Sequence, residues 1–199
     1  MGLVKKELSV LHDYIPSDAV ELVIAYMHQY KIHLRKTVLG DYRPSFNGKP
    51  HTISVNANLN KYHFLITFIH ELAHLVNYIE YGRRALPHGK EWKQHFSELL
   101  KKFIELQIFP QDITFGINQS IHNLSASTCS DPQLFKILYR YDEKNGKQLV
   151  EQLSIGDTFK TEKGDFFILK QKRRTRFACE NIHTKKIYLF PGIYEVFKE

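Results

Sequence analysis

Apolar residues recur mainly at helical spacing up to about residue 124 and mainly at alternating spacing beyond about residue 128. Residues 16–30 read as an opening helix. Val20, Val23, Ile24 and Met27 share one face, Pro16 suits the first turn, and Asp18 and Glu21 suit its positive N-terminal end. Residues 31–39 alternate and predict a strand. Tyr42 to Pro50 contains Pro44, Asn47, Gly48 and Pro50 and reads as a turn-rich connection. Residues 51–59 alternate Ile53, Val55, Ala57 and Leu59 with polar positions, which predicts a half-exposed strand. Asn60 can cap a long helix over about 61–81, with Gly82 near its end. A second helix over about 89–106 places Trp92, Phe96, Leu99, Leu100 and Phe103 on one face. A short last helix is expected over 111–124.

From about residue 128 the texture changes. FKILYRY, DTFK, FFILKQ, RFACEN and KIYLF are short, β-rich runs, and Asn145-Gly146 and Lys163-Gly164 are hairpin-type turns. The expected boundary lies near Ser125–Ser130, dividing the chain into residues 1–127 and 128–199. The fold class expected is α+β: helices with a small sheet, then a small antiparallel β-rich domain.

Hydrophobic residues make up 43% of the chain, enough for a substantial core and too many for a disordered chain. The formal net charge of +7 favours anionic partners without naming one. Two cysteines, Cys129 and Cys179, are far apart and form no CxxC pair. That excludes a thiolate zinc ribbon and a disulfide-dense scaffold. The opening MGLVKKELSV has no signal-peptide run, Lys6 occupies the position where myristoylation favours Ser or Thr, and no stretch reaches the length of a membrane span. The expectation is a cytoplasmic protein with reduced thiols and no membrane contact.

His70-Glu71-Leu72-Ala73-His74 is an HExxH motif within the predicted 61–81 helix. Positions four apart share a helix face, so both imidazoles can reach one metal ion. Glu71 lies beside the metal without ligating it, where it can act as general base toward a metal-activated water. Phe68, Ile69, Leu72, Leu75 and Val76 make this a buried helix. Two imidazoles and a carboxylate are costly there without a shared partner. A catalytic zinc takes three protein ligands. His88 is the best-placed third, because a chain reversal before the next helix returns it to the first. Glu91, His95 and Glu98 are rivals, and His63, two turns before His70, reads as a surface or supporting histidine.

HELAH followed after a short loop by HGKEWK resembles the SprT-like metalloprotease family, which includes the Spartan proteases. The resemblance covers about 17–125 and falls on His70, Glu71, His74 and His88, with Gly89 and Trp92 in supporting places. It implies a zincin-like domain holding one Zn2+ through His70, His74 and His88, with Glu71 catalytic. The activity implied is cleavage of protein substrates, in Spartan-type members protein crosslinked to DNA. In such folds the strand before the active-site helix lines the cleft, here His51–Leu59, and an edge strand there could pair with an extended peptide.

Many SprT-like proteins end in a four-cysteine zinc ribbon, a pattern this tail lacks, although its hairpins resemble those ribbons in outline. Lys170, Lys172, Arg173, Arg174, Arg176, Lys185 and Lys186 instead concentrate positive charge, interleaved with Phe177, Tyr188 and Phe190. Such a stretch can neutralise phosphates and stack on bases, so DNA is an expected partner alongside a protein substrate. The competing reading of the whole chain is a non-proteolytic, zinc-containing DNA-associated or regulatory module.

Overall fold

A computed structural model describes residues 11–37, 40–45, 49–84, 86–122 and 131–199. The N-terminal start, Cys129 and the expected Ser125–Ser130 boundary lie outside the described residues. The chain divides into two units, Met1–Asp142 and Glu143–Glu199. No helix among the described residues is long and apolar enough to cross a membrane.

In the first unit, α1 (Val20–Gln29) buries Val20, Val23 and Ile24. It leads into β1 (Ile32–Thr37), which pairs in parallel with β3 (His51–Asn56). β2 (Asp41–Arg43) pairs antiparallel with the other side of β3, giving the order β1-β3-β2. The strand preceding the HExxH helix is therefore central, with both edges occupied, and not the open edge expected of His51–Leu59. Among the described residues β1 and β2 are the outer strands, and the sequence hides β2 in a turn-rich stretch.

α2 (Lys61–Tyr81) starts where Asn60 Oδ1 accepts bonds from the backbone N–H groups of Tyr62 and His63, at 3.1 and 3.0 Å. That satisfies two donors which a helix start leaves unpaired. The helix ends at Gly82, whose φ of 63° suits a residue without Cβ. Its middle is buried almost all round, from His63 to Ala73. It packs against β3 on one side and against α3 (Lys90–Glu105) on the other. α3 buries Trp92, Phe96, Leu99, Leu100 and Phe103, the face its periodicity predicts.

α4 (Gln111–His122) is followed by α5 (Pro132–Tyr139). The latter corrects the expectation of a β-rich run at FKILYRY. Asp131 accepts from Gln133 N at 2.8 Å, and Pro132 fits the first turn. Leu134 and Leu138, four apart, then join the core of the first unit. Gly116 lets α5 come close, since a Cβ there would meet Ile137 Cδ1 at 2.6 Å. Residues 132–142 therefore belong with the first unit, and the division falls after Asp142, later than 127/128. Asn60 fastens this segment to the start of α2: its Nδ2 donates to Leu138 O at 2.9 Å and Asp142 Oδ1 at 2.6 Å.

The second unit comprises β4 (Lys147–Leu149), β5 (Thr158–Lys160), β6 (Phe166–Lys172), β7 (Arg176–Asn181), β8 (Ile187–Pro191) and β9 (Glu195–Lys198). They form a six-stranded antiparallel sheet in the order β4-β9-β5-β6-β7-β8. Val150, Phe159, Phe167, Leu169, Phe177 and Val196 form its core. The outline of a ribbon gives way to this sheet on a phenylalanine core. Cys179 is part of that core, and burial pushes its thiol up to about 12.

Candidate metal centre

α2 presents His70 and His74 one helical turn apart, and the chain then reverses to bring back His88 ahead of α3. The three Nε2 atoms form a near-equilateral triangle: 3.2 Å from His70 to His74, 3.1 Å from His74 to His88 and 3.2 Å from His88 to His70. A tetrahedral zinc with Zn–N near 2.0–2.1 Å would set its nitrogens about 3.3–3.4 Å apart. The triangle thus matches one face of such a coordination sphere. Three nitrogens converging on one point cannot satisfy each other well, because a neutral imidazole carries one N–H. Among the described residues, His70, His74 and His88 are the group that could hold a metal ion.

Local structure explains each part of His88-Gly89-Lys90-Glu91-Trp92. His88 adopts φ 59°, a left-handed conformation uncommon for a side-chain-bearing residue. Such conformations persist where the surroundings fix them, often at functional sites. Gly89 starts α3, and its N–H donates to Leu86 O at 2.9 Å. A Cβ on Gly89 would stand 3.0 Å from that same carbonyl oxygen, so a side chain would force the turn open. Trp92 is fully buried and touches all three imidazoles, with centroids 4.7 Å from His70, 5.1 Å from His74 and 4.7 Å from His88. Phe96 stacks on its far side at 5.0 Å.

Electrostatics favour the metal-binding forms. Burial lowers His70 to about 3, helped by His74 and His88. Burial lowers His74 to about 4, helped by His88 and opposed by Asp41. Burial likewise lowers His88, with Lys93 adding to it. All three are neutral at pH 7, the protonation state that coordinates metal. Glu71 is buried beside them, and its carboxyl is raised to about 7, chiefly by burial and secondly by Asp41. A carboxyl titrating near neutrality suits a general base.

Gly40 and Asp41, which sequence reasoning missed, frame this carboxylate. A Cβ on Gly40 would lie 3.3 Å from Glu71 Oε1 and 3.1 Å from Thr67 Cγ2, so β2 reaches Glu71 because this position is bare. The isolated glycine before a short polar strand was the only sequence signal. The rivals for the third position are elsewhere engaged. His95 Nε2 lies 3.1 Å from Glu80 Oε2, and Glu98 accepts from Gln94 at 3.0 Å. Glu91 lies beside the Gly89 turn, outside the three-histidine group. His63 is buried edge-on against Phe135, 6.0 Å between centroids, and is not on the surface.

The basic stretch of the second unit is split. Lys172, Arg173, Arg174 and Arg176 are exposed together at the β6–β7 turn, where Arg173 N–H donates to Arg176 O at 2.8 Å. Lys185 and Lys186 are exposed in the β7–β8 turn, at the other end of β7 and on the order of 17 Å away. Lys170 pairs with Glu180 at 3.3 Å. Phe177 is buried in the core, and Phe190 is partly buried against it. Tyr188 remains 45% exposed.

No curated protein and no solved structure matches this chain. Residues 22–113 match the model of the SprT-like family, a span that includes all of HELAH and HGKEW. Over residues 22–113, therefore, the chain is similar to the SprT-like family.

Proposed function

We propose that this protein is a zinc-dependent metallopeptidase of SprT-like type that hydrolyses peptide bonds in proteins associated with DNA. One observation carries the reading: three imidazole Nε2 atoms converge within 3.1–3.2 Å of one another next to a buried glutamate. His70, His74 and His88 fit one Zn2+ in donor type, protonation and spacing. When bound there, zinc supplies Lewis acidity that acidifies water and polarises a peptide carbonyl.

The chain's own groups do the rest. Glu71 accepts a proton from the attacking water and can return it to the leaving amine. In the metal-free site, burial raises its carboxyl above the ordinary carboxylate range, which favours uptake of that proton. Trp92 fixes the three imidazole planes by contact with each ring. β2 is the strand that an extended substrate would add to, since Gly40 carries the chain past Glu71 and the outer edge of β2 pairs with no strand among the described residues. At the β6–β7 turn, Lys172, Arg173, Arg174 and Arg176 are the candidates for phosphate contact. Lys185 and Lys186 form a second, separate cationic point.

The test is cleavage of an unstructured protein, free and DNA-bound, by wild type and Glu71→Gln. The reading predicts cleavage only by wild type, with zinc retained in both. Equal cleavage by the two proteins would reject Glu71 as the base. Zinc retention with no cleavage by wild type would favour the regulatory reading. For DNA, Arg173→Ala, Arg174→Ala and Arg176→Ala combined should weaken binding and flatten its salt dependence.

A further inference from the structure

The sheet of the second unit ends on an open strand. β8 pairs with β7 on one side and with no other strand among the described residues. The phase of that pairing follows from the turn, where Asn181 N–H donates to Lys186 O at 2.9 Å. An antiparallel ladder alternates bonded and non-bonded residue pairs from that point. Tyr188 opposite Cys179 and Phe190 opposite Phe177 therefore bond across to β7. Ile187 and Leu189 turn their N–H and C=O groups outward. Their side chains lie on the face away from Tyr188 and Phe190 and are 52% and 49% exposed.

Soluble proteins guard such an edge with charged side chains or a proline on the strand itself. Here Pro191 guards only the last position of β8, Ile187, Tyr188 and Leu189 are bare of charge, and the cations stand at the two ends. Lys186 precedes the strand beside Lys185, which is shared with Glu180, and Arg176 lies opposite Pro191 at its end. Glu180, next to Ile187, is already engaged by Lys170 at 3.3 Å and Lys185 at 3.9 Å.

We infer that the open edge of β8 binds an extended segment of a partner protein, apolar at alternate positions and carrying carboxylates at both ends. Backbone pairing with Ile187 and Leu189 supplies the hydrogen bonds, and alternate side chains of the segment pack on the two aliphatic ones. Charge decides among the occupants. A second copy of β8 would bring cationic ends against cationic ends in either direction, which disfavours self-pairing. A nucleic acid strand would satisfy the cations, but it has no β-spaced donors and acceptors for Ile187 and Leu189.

The test uses the full chain and a synthetic peptide with a Val-Thr-Val-Thr-Val centre flanked by two aspartates on each side. Its binding should protect the Ile187 and Leu189 amides from hydrogen exchange and weaken as salt rises. A peptide with lysines in place of the aspartates should not bind. Leu189→Pro removes an N–H that bonds nothing in the β7–β8 ladder, and it should weaken binding at least about tenfold without lowering the thermal midpoint. Leu189→Lys keeps the N–H and should weaken binding through the side chain, which covers the case where proline disturbs folding. Absent binding, or equal binding by both variants and wild type, overturns the inference. So does protection of the same amides by a thymidine oligonucleotide, or by raising the protein concentration alone.

Discussion

His88 Nε2 stands 3.1 Å from His74 Nε2 across fourteen residues of chain, and it does so from a left-handed backbone conformation. The residue that follows closes the same turn. Gly89 approaches Leu86 O so closely that a Cβ would sit 3.0 Å from it. Gly89→Ala should displace His88 and weaken zinc binding by about one to two orders of magnitude, as loss of support around metal ligands commonly does. Competition with a zinc-binding dye measures this, and an unchanged affinity would show that the turn does not hold the ligand.

Trp92 supports three rings at once and is fully buried. Trp92→Ala should cost about 3–5 kcal/mol of stability, from lost burial and the cavity left behind. Trp92→Phe should retain much of that. Urea unfolding of zinc-free protein separates this packing effect from metal binding, and a loss that appeared only in the zinc-loaded protein would contradict it.

Gly40 gives a complementary prediction on activity. A larger residue would press on Glu71 Oε1 and Thr67 Cγ2 while touching no histidine of the group. Gly40→Val should therefore lower kcat by about tenfold or more while zinc content stays at one per chain. Loss of zinc together with activity would place the disturbance at the ligands instead.

His63 predicts a pH dependence of stability. Burial lowers its pKa below 6.5, with Asp142 opposing. The unfolded chain then takes up a proton that the folded chain resists. Its contribution is complete above pH 6.5 and is lost as pH falls through the lower, folded value. Between pH 7.5 and 5.5, wild type should lose more stability than His63→Phe, by at most about 1.4 kcal/mol per pH unit. Unfolding midpoints at several pH values test this, and parallel curves for the two proteins would contradict it.

The sequence carried α2 and the convergence of the three histidines well, for local reasons. Asn60 and Gly82 mark both helix ends, HELAH fixes two histidines on one face, and His88-Gly89 encodes the return. Other features were hidden because they depend on tertiary partners. The composition of FKILYRY resembles a strand, yet Leu134 and Leu138 find their surface only against α4, where Gly116 leaves room. β2 is three residues long and sits among turn residues, so β3 read as an edge when it is the centre of the sheet. The cations of the second unit are neighbours in sequence, but β7 separates them in space.

The most direct test is metal content and coordination in purified protein. Elemental analysis should find one zinc per chain, and X-ray absorption should find three imidazole nitrogens at about 2.0–2.1 Å. His70→Ala, His74→Ala and His88→Ala should each lose the metal while keeping the helical signal of the fold. Undiminished zinc in His88→Ala, with an unchanged absorption spectrum, would contradict the three-histidine centre.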